Sequence, residues 1–168
     1  MKNKGMVNIA GASEGRVAAL AADIISKGQG QSLIVVPTVI RARRLATDLA
    51  FFHGETPIFV MPEEEDVRVA FEARSSEEVL ERMKVLKAGL SGQDCVIIAP
   101  VRSAIRKLPP AEIFRENTLT FACGQDVDTG RLPEQLSRLG YERVSVIESR
   151  GEFTIRGGII DLFPADSE

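Results

Sequence analysis

An apolar run, a glycine-bearing turn, an amphipathic stretch and a second apolar run follow one another between Val7 and Pro37, and this order restricts the fold more than any other feature. VNIAG (7–11) reads as a short strand and GASEG (11–15) as a turn. Residues 16–28 read as a helix with Val17, Leu20, Ala21 and Ile24 on its inner face, closed by Gly28. LIVV (33–36) is apolar enough for the middle of a parallel sheet, and Pro37 ends it because proline has no N–H to give the ladder. A strand that enters a glycine-rich turn and then a helix begins a parallel sheet, and it is also where a nucleotide phosphate would sit.

The alternation continues. Residues 38–52 predict a helix with Ile40, Leu45, Leu49 and Phe52 inward and Arg41, Arg43 and Arg44 outward, suited to phosphate contact or to a solvated face. PIFVM (57–61) is a third strand. Ser75 and Glu78 have capping-box spacing for a helix over 76–90, whose stripe is Val79, Met83, Leu86 and Leu90. DCVIIAP (94–100) is a fourth strand, and a short helix over 101–107 carries Arg102, Arg106 and Lys107 before Pro109 and Pro110 stop it. After a loop containing Ile113 and Phe114, TLTFAC (118–123) reads as a fifth strand. Strands alternating with helices imply an α/β fold: an open, mainly parallel sheet with helices on both faces.

The pattern changes at Gly124. A helix over 128–140 with Leu132, Leu136 and Leu139 inward is followed by three β-type runs joined by Arg-Gly turns, which read as antiparallel. Gly157 and Gly158 can supply the positive φ of a hairpin turn. Residues 1–125 are therefore expected to form the α/β domain and 126–168 the beginning of a small α+β domain. Since a hairpin alone is marginal, the sequence is expected to be part of a longer protein.

Several function classes are excluded on chemistry. A formal charge of −3 over 168 residues disfavours bulk electrostatic grip on nucleic acid, although Arg41, Arg43, Arg44, Arg102, Arg106 and Lys107 could make a local phosphate stripe. No apolar run reaches the 18 or so residues of a membrane span, and MKNKGMVN lacks the apolar core of a secretory signal. Cys95 and Cys123 read as two buried thiols in a reducing, cytoplasmic setting. The carboxylates of PEEED (62–66) lack the spacing of an oxygen-ligand loop, so no metal is expected. His53, the only histidine, suits a surface or helix-end role, and Ser13 and Ser103 have no histidine partner to activate them. No catalytic residue is expected.

A phosphate loop of the GxxxxGK[ST] type needs glycine for close amide approach, lysine for the phosphates and a hydroxyl for magnesium. With Gly11 as the first glycine, Arg16 falls at the second, Val17 at the lysine and Ala18 at the hydroxyl. Gly11 and Gly15 do not make GxGxxG either. The loop Gly11, Gly15, Arg16, Val17, Ala18 is thus degenerate, no nucleotide is expected on it, and the first domain reads as nonhydrolytic.

The tail supplies a resemblance. GEFTIRGGIIDLFP (151–164) resembles the signature of the bacterial transcription-repair coupling factor, with a close relative in the excinuclease B subunit of nucleotide excision repair. LPEQLSRLGYERVSVIESR, residues 33–38, PEEED and VRSAIRKLPP fit the same families. The degenerate loop favours the coupling factor, whose N-terminal module is similar to the excinuclease B subunit, which keeps an intact Walker loop. The resemblance implies a P-loop NTPase-like first domain and docking of the excinuclease A subunit on the second domain, with Arg156 in the RGG turn as the contact and Arg150 and Glu152 nearby. It places ATP, magnesium and the translocase motor elsewhere in the full protein, whose other partners are its remaining domains, RNA polymerase and double-stranded DNA. An ATP-binding P-loop domain and a DNA-contacting module are the alternative readings.

Overall fold

The computed structural model describes residues 8–52, 56–63 and 76–164. The chain divides into two compact units, Met1–Arg106 and Lys107–Glu168. The boundary expected near residue 125 falls inside the second unit.

In the first unit, β1 (Ser32–Val36), β2 (Ile58–Val60) and β3 (Val96–Pro100) form a parallel sheet in the order β1-β3-β2. The register pairs Ile34 with Ile98 and Val60 with Ile98. Side chains alternate along β3. Val96 and Ile98 point to one face, where Ala18 and Ala22 of α1 (Glu14–Lys27) and Ala42, Leu45 and Leu49 of α2 (Val39–Phe52) join them in a core. Ala99 and, half-buried, Ile97 point to the other, against Val85 and Leu86 of α3 (Ser76–Ser91) and Met61. The expected α/β fold, an open parallel sheet with helices on both faces, is therefore what the residues build. Full burial of a side chain such as Leu49 or Ile98 contributes roughly 1.5–3 kcal/mol. The short α4 (Val101–Ala104) follows β3 directly, and Ser103 Oγ donates to the Pro62 carbonyl at 2.8 Å. That bond gives Ser103 a structural role.

Several details differ from expectation. Residues 8–10 are not a strand but irregular and exposed. β1 is an edge strand, and β3 is the central one; Leu33 (64% exposed) and Val35 (52%) share the α3 face but are left uncovered. On α1 the buried face is Ala18 and Ala22 with Ala21 and Ile25 beside them, while Val17, Leu20 and Ile24 are exposed. Small residues let α1 lie close against Ala42 of α2, so the alanines win the inner face over the larger side chains. On α2, Leu45 and Leu49 are inward as expected, but Ile40 and Phe52 are exposed. On α3, Val85, Leu86 and Gly89 meet the sheet, and Val79 and Met83 are exposed; a Cβ on Gly89 would meet Ile97 Cδ1 at 3.4 Å.

In the second unit, Pro110 precedes α5 (Ala111–Glu116), where a loop was expected. Proline is tolerated at a helix start, so Pro110 introduces this helix, whereas the helix expected over 101–107 had already ended at Ala104, five residues before Pro109. Residues 118–123 are not a strand. Ala122 N–H donates to Gln125 Oε1 and Gln125 N–H to the Ala122 carbonyl, both at 3.1 Å, so a local turn takes the groups that a ladder would need. The helix expected over 128–140 contracts to α6 (Leu132–Arg138), because the Asp128 carboxylate accepts the N–H groups of Gly130 and Arg131 ahead of it. Leu132 and Leu136 pack on Phe153, with Ile155, Ile160 and Leu162 around them. These come from β5 (Glu152–Arg156) and β6 (Ile159–Leu162), an antiparallel hairpin. β4 (Glu142–Arg143) lies on the other side of β5 and is parallel to it rather than antiparallel.

Cys95 is buried, and burial raises its thiol pKa, with the Asp94 carboxylate adding to the effect. Cys123 is exposed, against the expectation of two buried thiols. Among the described residues no helix is long and apolar enough to cross a membrane, and no group of His, Cys, Asp and Glu is arranged to hold a metal ion. His53, residues 64–66 of the acidic stretch and the cap residue Ser75 lie outside the described residues.

Candidate functional site

The loop positions singled out in the sequence fall at the start of α1. Gly11 takes a positive φ of 73° before Ser13 opens the helix, and Gly15 and Arg16 lie in its first turn. Ala18, at the hydroxyl position of a phosphate loop, is fully buried in the first core. Val17, at the lysine position, instead lines a groove of about 100 Å³ with Val36, Pro37 and Leu45. Glu14, Arg41, Arg44 and Asp48 complete that groove. Across it, Arg41 Nη2 donates to Glu14 Oε1 at 2.9 Å. The helix N-terminus, which would attract a phosphate, therefore presents a carboxylate that satisfies both the helix dipole and the nearest arginine. Arg16 is exposed and does not line the groove. Arg43, Arg44 and Arg102 are exposed, whereas Arg41 is committed to Glu14.

In the second unit the hairpin places its residues in a definite order. Phe153 and Ile155 face α6; Glu152 and Arg156 belong to the alternate set. Arg156 ends β5, is exposed, and stands opposite Ile159, itself 65% exposed. Gly157, with φ +62°, and Gly158 make the two-residue turn between them. Positive φ at the first central position only is the pattern of a type II′ hairpin turn, which Gly allows at no steric cost. Among the described residues the Arg156 side chain makes no hydrogen bond or ion pair, so its five donors point into solvent.

Arg150 and Arg156 are not brought together. Arg156 ends β5, whereas Arg150 sits in the turn before it, with Gly151 at φ 85° leading into the strand, so the whole of β5, roughly 13 Å of strand at ~3.3 Å per residue, lies between them. Glu152 is turned inward to the preceding loop: its Oε2 accepts the N–H groups of Glu148 at 2.7 Å and Ser149 at 2.8 Å. Those two bonds hold its pKa below the ordinary value, outweighing a small opposing effect of desolvation. The Glu14–Arg41 pair and this carboxylate–loop contact were not found by sequence reasoning. Glu14 and Arg41 are distant in sequence, and a glutamate just after a glycine-bounded turn has no spacing that announces its acceptor role.

Residues 119–168, which take in α6 and the whole β4-β5-β6 sheet, match the UvrB interaction domain. The second unit is thus similar to a protein-interaction domain of nucleotide excision repair. Over 156 residues, 93% of this chain, the sequence is 28% identical to a transcription-repair-coupling factor of Staphylococcus epidermidis. Over 160 residues, 95% of the chain, it is 29% identical to the transcription-repair-coupling factor of Staphylococcus aureus strain USA300. The chain spans 13% of the first of these curated relatives and 14% of the second. The resemblance to the transcription-repair coupling factor, read from the tail motif, is borne out over nearly the whole chain.

Proposed function

We propose that this chain is a noncatalytic, partner-docking part of a coupling-factor protein. Its second unit recruits the excinuclease A subunit of the repair machinery, and its first unit is a nonhydrolytic scaffold for the remaining domains. The observation that carries this reading is Arg156: within the span similar to the UvrB interaction domain, it stands exposed at the end of a hairpin, without an intramolecular partner among the described residues. A guanidinium held on a strand end offers a directional fork to a partner carboxylate, and Ile159 beside it adds apolar contact. Arg150, in the turn before β5, reaches a separate point of the same partner. ATP, magnesium, RNA polymerase and double-stranded DNA belong in this reading to the whole protein, a cytoplasmic ATP-driven translocase whose motor lies outside these residues.

The test is calorimetric titration of the longer protein carrying this chain with the excinuclease A subunit. Arg156→Glu is expected to weaken binding by about 2 kcal/mol or more, roughly 30-fold, as for a central interface arginine. Unchanged affinity in a variant with an unchanged circular dichroism spectrum would remove Arg156 from the interface.

A further inference from the structure

The segment between β4 and β5, residues 144–151, joins two parallel neighbours in fewer residues than the dozen or more that such a crossover commonly takes. Its ends are tied into the sheet. Val144 N–H donates to the Phe153 carbonyl at 2.9 Å, and Gly151 N–H to the Phe163 carbonyl at 2.9 Å. Its middle carries the exposed Val146 and Arg150, and it is held through one side chain, because Glu152 Oε2 accepts the amides of both Glu148 and Ser149.

We infer that Glu152 is a positioning residue of the docking surface: it fixes the turn at residues 148–150 from within, so that Arg150 and Val146 meet a partner already ordered, while Glu152 itself touches none. The inference rests on the docking reading above. A loop ordered in the free protein spares the complex the entropy of ordering it, so the anchor raises affinity without a contact of its own. The pKa of Glu152 is lowered, and these two amides are the main cause. An ionised carboxylate is the right acceptor here: one oxygen serves two amides, and charge-assisted bonds are shorter and stronger than neutral ones.

The test pairs amide hydrogen exchange, read by NMR on the 168-residue chain, with titration of the excinuclease A subunit into the longer protein. In Glu152→Ala the amides of Glu148 and Ser149 should exchange on the order of tenfold faster, while the ladder amide of Val144 keeps its rate. Affinity should fall about fivefold from the same lost ordering, and Glu152→Gln, which retains a carbonyl acceptor, should recover part of both. Unchanged exchange at residues 148 and 149 overturns the inference, and so does equal acceleration at Val144, which would mean general loosening. Lower affinity with unchanged exchange also overturns it, because Glu152 would then be a contact. The docking reading fails separately, through Arg156→Glu with unchanged affinity, whatever the exchange rates do.

Discussion

Arg41 Nη2 lies 2.9 Å from Glu14 Oε1, so the first turn of α1 and the outer face of α2 are bridged where a phosphate-binding loop would leave an open cation. Both side chains are more than half exposed, which limits the pair to at most about 1 kcal/mol of stability, less at high salt. Its larger effect is on ligands: a carboxylate at the helix N-terminus repels phosphate, and the Arg41 charge is already matched. Titration with magnesium-ATP is accordingly expected to give no saturable heat, and Arg16→Ala should change nothing. Micromolar, magnesium-dependent binding lost in Arg16→Ala would restore the nucleotide-site reading of Gly11 to Ala18.

The rotated helix faces lead to a stability contrast. Leu49 is fully buried in the first core, whereas Ile40, on the same helix, is 63% exposed. Leu49→Ala should cost about 2–5 kcal/mol through lost transfer energy and a cavity, and Ile40→Ala should stay within about 0.5 kcal/mol. Urea unfolding of the two variants measures the difference. Equal midpoint shifts would return Ile40 to the core and favour the face expected from spacing.

That contrast also marks how far the sequence could be read. Strand positions with continuous apolar runs, such as 96–99, and the alternation with helices were legible because burial on both faces of a parallel sheet leaves little choice of residue. Which strand is central was not, since LIVV and VIIA are equally apolar and only pairing order distinguishes Leu33 from Ile97. Helix faces were misplaced where small residues compete with large ones: hydrophobicity favours Val17 and Ile24 for the interior, but the close approach of α1 to α2 favours Ala18 and Ala22. At the candidate site, local chemistry supplied the glycine turn, and Arg156 within it came from the resemblance of the tail motif. The inward turn of Glu152 was not legible, because its acceptor geometry depends on where the chain folds back after Val144.

The hairpin turn gives a test of backbone geometry. Gly157 has φ +62°, while Gly158 lies outside the left-handed region, and a Cβ at either would meet nothing within 4 Å. The two substitutions therefore differ in backbone strain and not in packing. Gly157→Ala should destabilise by about 1–2 kcal/mol, and Gly158→Ala should be near neutral or slightly stabilising through the unfolded chain. Thermal unfolding of both variants reads the order. A reversed order would mean that the turn is not of the type II′ form.

Glu152 also sets a pH dependence of local order. Its pKa is lowered from 4.5 by the hydrogen bonds from the amides of Glu148 and Ser149, which outweigh the desolvation that would raise it. A carboxylate whose folded pKa lies below its unfolded value contributes stability that is fully present above the unfolded value and lost as pH falls through the folded one. The turn should therefore keep its order down to pH 4.5 and lose it only below that. Amide chemical shifts of Glu148 and Ser149, followed as acid is added, should move together with a midpoint under 4.5 and should not show that step in Glu152→Gln. Because the shift arises from short hydrogen bonds and not from distant charge, added salt should leave the midpoint nearly in place. A midpoint at or above 4.5, or one that moves strongly with salt, would mean that the carboxylate is governed by its charged surroundings and does not hold the turn.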